Sequence, residues 1–236
     1  MKIWGITDVG LVRRENQDAY AVESRNGFDI CVVCDGMGGA AAGKLASEIA
    51  VRAYREALGE TLTEGMDLDA VQAAMAAAAS RANRAIREEA ARKPEYAGMG
   101  TTLVAAFLLR NTAVVINVGD SRAYHFSQQG VRQLSCDHSV VELMVQRGEL
   151  TREQAKNYPG KNLITRAVGT EPQVEGDIYV QELKKDDCIL LCSDGLSNEM
   201  ADQEMLFEVA HGLKKSTCCE RLLAIAKNRG APDNVT

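Results

Sequence analysis

Proline is scarce in this chain, and long apolar runs are missing. Only 4 prolines interrupt 236 residues. With 46% hydrophobic and 25% charged residues, the composition supports a packed core and excludes wholesale disorder. No apolar run approaches the ~20 residues of a bilayer span. The opening residues Met1 to Gly5 also lack a charged stretch leading into a long apolar segment. Neither membrane insertion nor secretion is expected. A basic excess is absent too: the formal net charge of −6 offers no field to hold a nucleic-acid backbone. The 7 cysteines are an odd number in a chain large enough for a real core, which fits reduced cytosolic thiols better than a disulfide framework. Cys31 and Cys34 lie inside the apolar run FDICVVCDG, where a strand would point them to opposite faces, and Cys188 and Cys192 have no second pair nearby. Buried free thiols are therefore expected rather than structural zinc.

What is present reads as one domain, residues 1–236. Strand-length apolar stretches occur at 28–34, 101–109, 112–118 and 187–193, and helical periodicity at 41–58 and 68–92. The Ala-rich stretch from Ala73 to Ala79 belongs to the second helix, alanine being the best helix former. TAVVINVGDSRAYHF, then QQG and VRQLS, read as a meander of strands on tight turns, favouring antiparallel pairing. Residues 137–162 are polar and weakly amphipathic and read as an exposed helical insertion. Further helices are expected near 202–211 and 215–229. The chain stops at Asp233 to Thr236 just as a strand begins, which reads as a C-terminus cut short.

The chemistry sits at strand ends. ICVVCDG and ILLCSDG are both apolar runs ending in Asp-Gly, at Asp35 and Asp194. A carboxylate at the tip of a buried strand is costly to keep ionised without a cation or several donors, and no Lys or Arg adjoins either one. Asp35 and Asp194, with Asp233 in GAPDNVT and Asp120 after NVG, form a candidate set of hard oxygen ligands for Mg²⁺ or Mn²⁺. Each taken alone is equally a turn residue, since Asp-Gly and Asp-Asn are common in turns. VRRENQDAY places Arg13, Asn16, Gln17 and Asp18 together. Beside the Asp35 end, Arg13 offers a planar fork for a phosphate, and Asp18 an acceptor for water.

At this point the sequence resembles the protein phosphatase 2C family, the metal-dependent protein serine/threonine phosphatases, in its bacterial form. The motifs TDVGLVRRENQDA, DGMGG, MGTTL, NVGDSRAY, DHS, NLITRAVG, LLCSDGL and PDNVT occur in family order from residue 7 to residue 236. The resemblance implies an α+β fold, a four-layer αββα sandwich of two antiparallel sheets flanked by helices, with residues 137–162 as a flap. It also implies a two-metal centre that activates water for in-line attack on phosphorus. By position, Asp35 would bridge both metals, Asp194 and Asp233 would hold the first, and the Gly36 carbonyl would join the second. Asp120 with Asp194 would hold a third metal. Arg13 would bind the substrate phosphate, Asp18 would orient metal-bound water, and Asn234 would support the site from beside Asp233.

Some positions depart from the family pattern. Gln17 replaces an acidic residue, which is expected to weaken the second metal position or make it bind through water. Met37 stands where animal members carry a histidine, and Ala40 and Lys44 stand where bacterial members often have His and Glu. His138, in DHS, is expected to be structural or flap-positioning, and His125 and His211 to be surface or core residues. The expected activity is a cytoplasmic Mn²⁺- or Mg²⁺-dependent phosphatase acting on phosphoserine and phosphothreonine in proteins and opposing a bacterial Ser/Thr kinase. The alternatives are a catalytically silent phosphoprotein-binding member of the fold, and a partner-switching phosphatase acting on an anti-sigma-factor antagonist.

Overall fold

A computed structural model describes residues 2–25, 27–63, 65–212 and 214–236 of the chain. One sheet has the order β1-β2-β4-β5-β8, built from β1 (Asp18–Arg25), β2 (Phe28–Met37), β4 (Leu103–Leu109), β5 (Thr112–Val118) and β8 (Asp177–Glu182), with the short β3 (Gly100–Thr101) on the end of β2. A smaller sheet has the order β7-β6-β9, from β6 (Arg122–Ser127), β7 (Gly130–Gln133) and β9 (Cys188–Cys192). Every paired neighbour is antiparallel.

Strand periodicity explains the layers. In β4, Leu103, Ala105 and Phe107 join one core with α1 (Ala40–Thr61) and α2 (Leu68–Ala90), while Val104 and Ala106 point the other way, into a core shared with the smaller sheet. In β9, Ile189 and Leu191 enter that shared core, while Cys188, Leu190 and Cys192 face a third core. This third core holds Leu196 of α5 (Asp194–Ser197), Met205 of α6 (Asp202–His211), and Leu222, Leu223 and Ala226 of α7 (Cys218–Asn228). The result is a sandwich of helices, sheet, sheet and helices, as the resemblance implied. Strands packed against a core on each face read as continuous apolar runs, which is why β2, β4, β5 and β9 stand out in the sequence.

The alanines of α1 and α2 serve close approach. Ala46, Ala50, Ala53 and Ala57 on one helix and Ala74, Ala78 and Ala82 on the other are buried. Asp67 starts α2 by accepting the Ala70 amide at 2.8 Å. All seven cysteines are free thiols. Between β7 and β8 the chain forms α3 (Val140–Gln146) and α4 (Arg152–Lys156), the latter opened by a capping box between Thr151 and Gln154.

Three features differ from expectation. The stretch read as a meander changes sheets: β6 and β7 form a hairpin, but β5 and β6 belong to different sheets. The crossing runs through Gly119, whose φ of 106° is left-handed; a Cβ there would stand 2.6 Å from the Thr102 methyl, so only glycine turns this corner without strain. The strands β1 and β8, at the two ends of the larger sheet's order, were not anticipated. The expected C-terminal strand is represented by a single antiparallel bridge between Asp8 and Val235.

Candidate metal centre

The carboxylates gather at one end of the two sheets. Asp18 opens β1 and pairs in register with Asp35 near the end of β2. Asp120 lies in the crossing between the sheets, and Asp194 starts α5 directly after β9. Asp194 lies close enough to Asp35 for each carboxylate to shift the other. Asp233 lies in the C-terminal loop, where its Oδ1 accepts the Asn234 amide at 2.9 Å.

The backbone holding these groups is clamped by hydroxyls. The Asp35 amide donates to Thr102 Oγ1 at 2.9 Å, and the Asp35 carbonyl accepts from Thr101 Oγ1 at 2.8 Å and from the Thr102 amide at 2.8 Å. Thr102 Oγ1 also meets Ser121 Oγ at 2.7 Å. Buried Asp18 accepts through Oδ2 from Ser193 Oγ at 2.7 Å and Thr236 Oγ1 at 2.6 Å. Asn234, 3% exposed, ties the loops together. Its Oδ1 accepts the Gln17 amide at 2.8 Å, and its Nδ2 donates to the carbonyls of Val9 at 2.9 Å and Glu15 at 3.0 Å. The motif resemblance implied that Asn234 supports the site from beside Asp233. The hydroxyls of Thr101, Thr102, Ser121, Ser193 and Thr236 were missed, although each lies in a motif quoted above.

The electrostatics are those of crowded like charges. Burial, followed by the charge of Asp18, holds Asp35 well above the ordinary carboxylate range, and Asp194, Asp120 and Asp233 add to it. Burial and then Asp194 push Asp120 to about 7. Burial pushes Asp18 up to about 6, against the hydrogen bonds from Thr236 and Ser193. Asp194 is raised by burial and then by Asp233. Asp18 Oδ1 and Asp194 Oδ1 are buried oxygens without a hydrogen-bond partner among the described residues. Unsatisfied, mutually repelling hard oxygens are the donor set a divalent cation relieves. Among the described residues no three acidic, His or Cys side chains close into a ready-made cage.

Two expected ligands sit in unexpected company. Arg13, assigned to phosphate, donates to Asp233 Oδ2 at 2.7 Å, so the predicted phosphate fork and a predicted metal ligand are tied to each other. The Gly36 carbonyl packs against α1: a Cβ on Gly43 would stand 2.8 Å from it. A Cβ on Gly36 itself would stand 2.0 Å from the Gly43 carbonyl oxygen. Gly36→Ala is therefore expected to cost at least about 3 kcal/mol of stability, measured by urea denaturation, because backbone faces backbone and no side chain can yield.

Gln17 donates from Nε2 to the Gly39 carbonyl at 2.8 Å, tying β1 to the turn before α1, and a glutamate could not make that bond. Met37 ends β2, and Lys44 is exposed on α1. His125, 9% exposed, pairs with Asp187 at 2.8 Å, and exposed His211 stacks on Phe207. His138 is buried and contacts Asp177.

Residues 13–223 match the family described as protein phosphatase 2C. The serine/threonine phosphatase stp of Listeria welshimeri is 38% identical over 98% of this chain and 91% of its own length. The structure of the S. agalactiae serine/threonine phosphatase superposes with a TM-score of 0.90 at 32% identity, covering 98% of this chain and 94% of that one. The catalytic domain of the serine threonine protein phosphatase PstP, solved in complex with 2 manganese ions, gives a TM-score of 0.83 at 33% identity over 98% and 93%. With its motifs in order, its layers in place and its carboxylates at one end of the two sheets, this chain belongs to the protein phosphatase 2C family.

Proposed function

We propose that this protein is a metal-dependent protein serine/threonine phosphatase that hydrolyses phosphoserine and phosphothreonine by activating water. The observation that carries this reading is the gathering of Asp18, Asp35, Asp120, Asp194 and Asp233, from distant parts of the chain, around unsatisfied carboxylate oxygens. Asp35, Asp194, Asp233 and the Gly36 carbonyl would hold the catalytic cations, and Asp120 with Asp194 would hold a further one. Bound there, Mn²⁺ or Mg²⁺ supplies a Lewis acid that makes water nucleophilic at neutral pH and offsets phosphoryl charge.

The chain's own groups do the rest. Arg13 swings from Asp233 to the phosphoryl oxygens, where its fork matches their geometry. Asp18, held through Oδ2 by Ser193 and Thr236, keeps Oδ1 to accept a hydrogen from the attacking water. Asn234 and the Thr101 and Thr102 hydroxyls fix the backbone around Asp18 and Asp35, so that these carboxylates need no rearrangement. Residues 137–162 form a flap beside the crevice and influence which phosphoproteins enter. A bacterial Ser/Thr kinase supplies the substrate, in the cytoplasm. The intact carboxylate set disfavours the catalytically silent alternative.

The test is phosphate release from a phosphothreonine peptide. Mn²⁺ is expected to support turnover and excess chelator to remove it by at least about a hundredfold, as loss of a Lewis acid worth several kcal/mol requires. Turnover that survives chelation and dialysis would overturn the reading.

A further inference from the structure

His138, 8% exposed, stands where four segments meet. Its Nδ1 lies 3.1 Å from the Gly119 amide nitrogen, and its own amide donates to the Gly119 carbonyl at 2.9 Å. An amide N–H can only donate, so Nδ1 is the bare nitrogen and Nε2 carries the hydrogen. Nε2 faces Asp177 Oδ2 at 3.2 Å. Arg166 Nη1, 3.2 Å from Nε2, donates to Asp177 Oδ1 at 2.8 Å and to the Glu175 carbonyl at 3.0 Å. Burial, the largest influence, holds the ring below the ordinary histidine value, in keeping with one accepting and one donating nitrogen.

The backbone around the ring completes the joint. The His138 carbonyl accepts the Thr165 amide at 2.8 Å, and the Val140 amide donates to the Leu163 carbonyl at 2.9 Å. One imidazole thus connects the Gly119–Asp120 crossing, the first residues of the 137–162 stretch, its return through 163–166, and the head of β8. Gly119 has no side chain with which to anchor itself, and its left-handed φ and its closeness to Thr102 forbid one. Asn117 Nδ2 also donates to the Gly119 carbonyl at 3.1 Å, and the Gly119 amide is anchored by His138 Nδ1.

We propose that His138 is a positioning residue that keeps the flap in register with the loop carrying Asp120, so that substrate bound against the flap meets the carboxylate crevice. The role in turnover rests on the phosphatase reading. The joint itself does not.

Amide hydrogen exchange by NMR on the full chain tests it, with His138→Ala, His138→Asn and His138→Gln. The asparagine oxygen takes the place of Nδ1 and keeps the acceptor for Gly119, whereas the glutamine oxygen lies farther out and does not. Exchange at Gly119 is expected to speed up about tenfold in the Ala and Gln variants, the worth of one buried hydrogen bond, and to stay close to wild type in the Asn variant. For a phosphothreonine peptide, KM is expected to rise about tenfold in His138→Ala with kcat changed less than about threefold, and His138→Asn to recover most of it.

Should His138→Ala fail to fold, the Asn and Gln pair carries the same contrast. Equal Gly119 exchange in all variants at matched melting temperature overturns the proposal, as does a loss confined to kcat that asparagine does not rescue. A protein that releases no phosphate but shows the exchange contrast sinks the phosphatase reading and leaves the joint standing.

Discussion

Asp35→Asn is expected to abolish phosphate release and, in the same protein stripped of metal, to raise the melting temperature. Asp35 faces Asp18, Asp194, Asp120 and Asp233, and its carboxyl is held well above the ordinary range, first by burial and then by those charges. Asparagine keeps the shape and the Thr102 clamp, which uses only the Asp35 backbone, and removes one of the crowded charges. Without metal this is relief, and the melting point should rise by ~2–4 °C for each kcal/mol released in a chain of this size. With metal it would be the loss of a carboxylate proposed to hold the cations. Turnover should fall by about a thousandfold, since several kcal/mol of charge stabilisation are lost at tenfold per ~1.4 kcal/mol. Thermal melts in chelator and phosphate release in Mn²⁺ check the two halves. A variant that melts lower than wild type in chelator would show that the carboxylates are not in conflict.

The metal-free protein is expected to lose stability as pH rises from about 5 to about 8. Asp18 titrates near 6 and Asp120 near 7 in the fold, against 3.8 for an unperturbed Asp, and Asp35 and Asp194 are also raised. Between the unfolded and folded values the folded state binds more protons than the unfolded chain, so stability falls as pH climbs through the folded values. Below pH 4 this penalty is absent, because both states are protonated. His138 runs the other way: its value is lowered, so it adds stability above its unfolded value of 6.5 and loses it in acid. It is one group against four. The net loss should amount to several kcal/mol between pH 5 and 8. Mn²⁺ should flatten or reverse the slope, because a cation takes the place of the protons and binds the ionised carboxylates more tightly as pH rises. Urea denaturation at pH 5, 6, 7 and 8, in chelator and in Mn²⁺, measures both trends. Stability in chelator that climbs steadily with pH would contradict the crowding.

What could be read from the residues alone follows a physical divide. The strands β2, β4, β5 and β9 pack against a core on each face and announce themselves as apolar runs, and the Asp-Gly pairs at two of their ends point to the crevice. The strands β1 and β8 carry mixed polarity, DAYAVESR and DIYVQE, and such runs do not stand out from loops. The step from β5 to β6 looked like a hairpin turn because a few residues bridge stacked sheets about 10 Å apart as easily as paired strands. Ser193, Thr236 and Thr102 went unnoticed because hydroxyls beside turns are ordinary, and only the fold aims them at Asp18 and at the Asp35 backbone. The Arg13–Asp233 ion pair joins residues from opposite ends of the sequence, where no local pattern could announce it.

The stitching of Asn234 to Val9, Glu15 and Gln17 has a consequence for the life of the chain. Contacts of such long range form late, after the entropy of closing the largest loop has been met. Asp18 and Asp35 lie far ahead of Asp233 and Asn234 along the chain and meet them only once that loop has closed. A proteolytic cut that frees the segment around Val9 to Gln17 from Asn234 is therefore expected to unstitch the crevice and switch off activity while Asp35, Asp120, Asp194 and Asp233 stay intact.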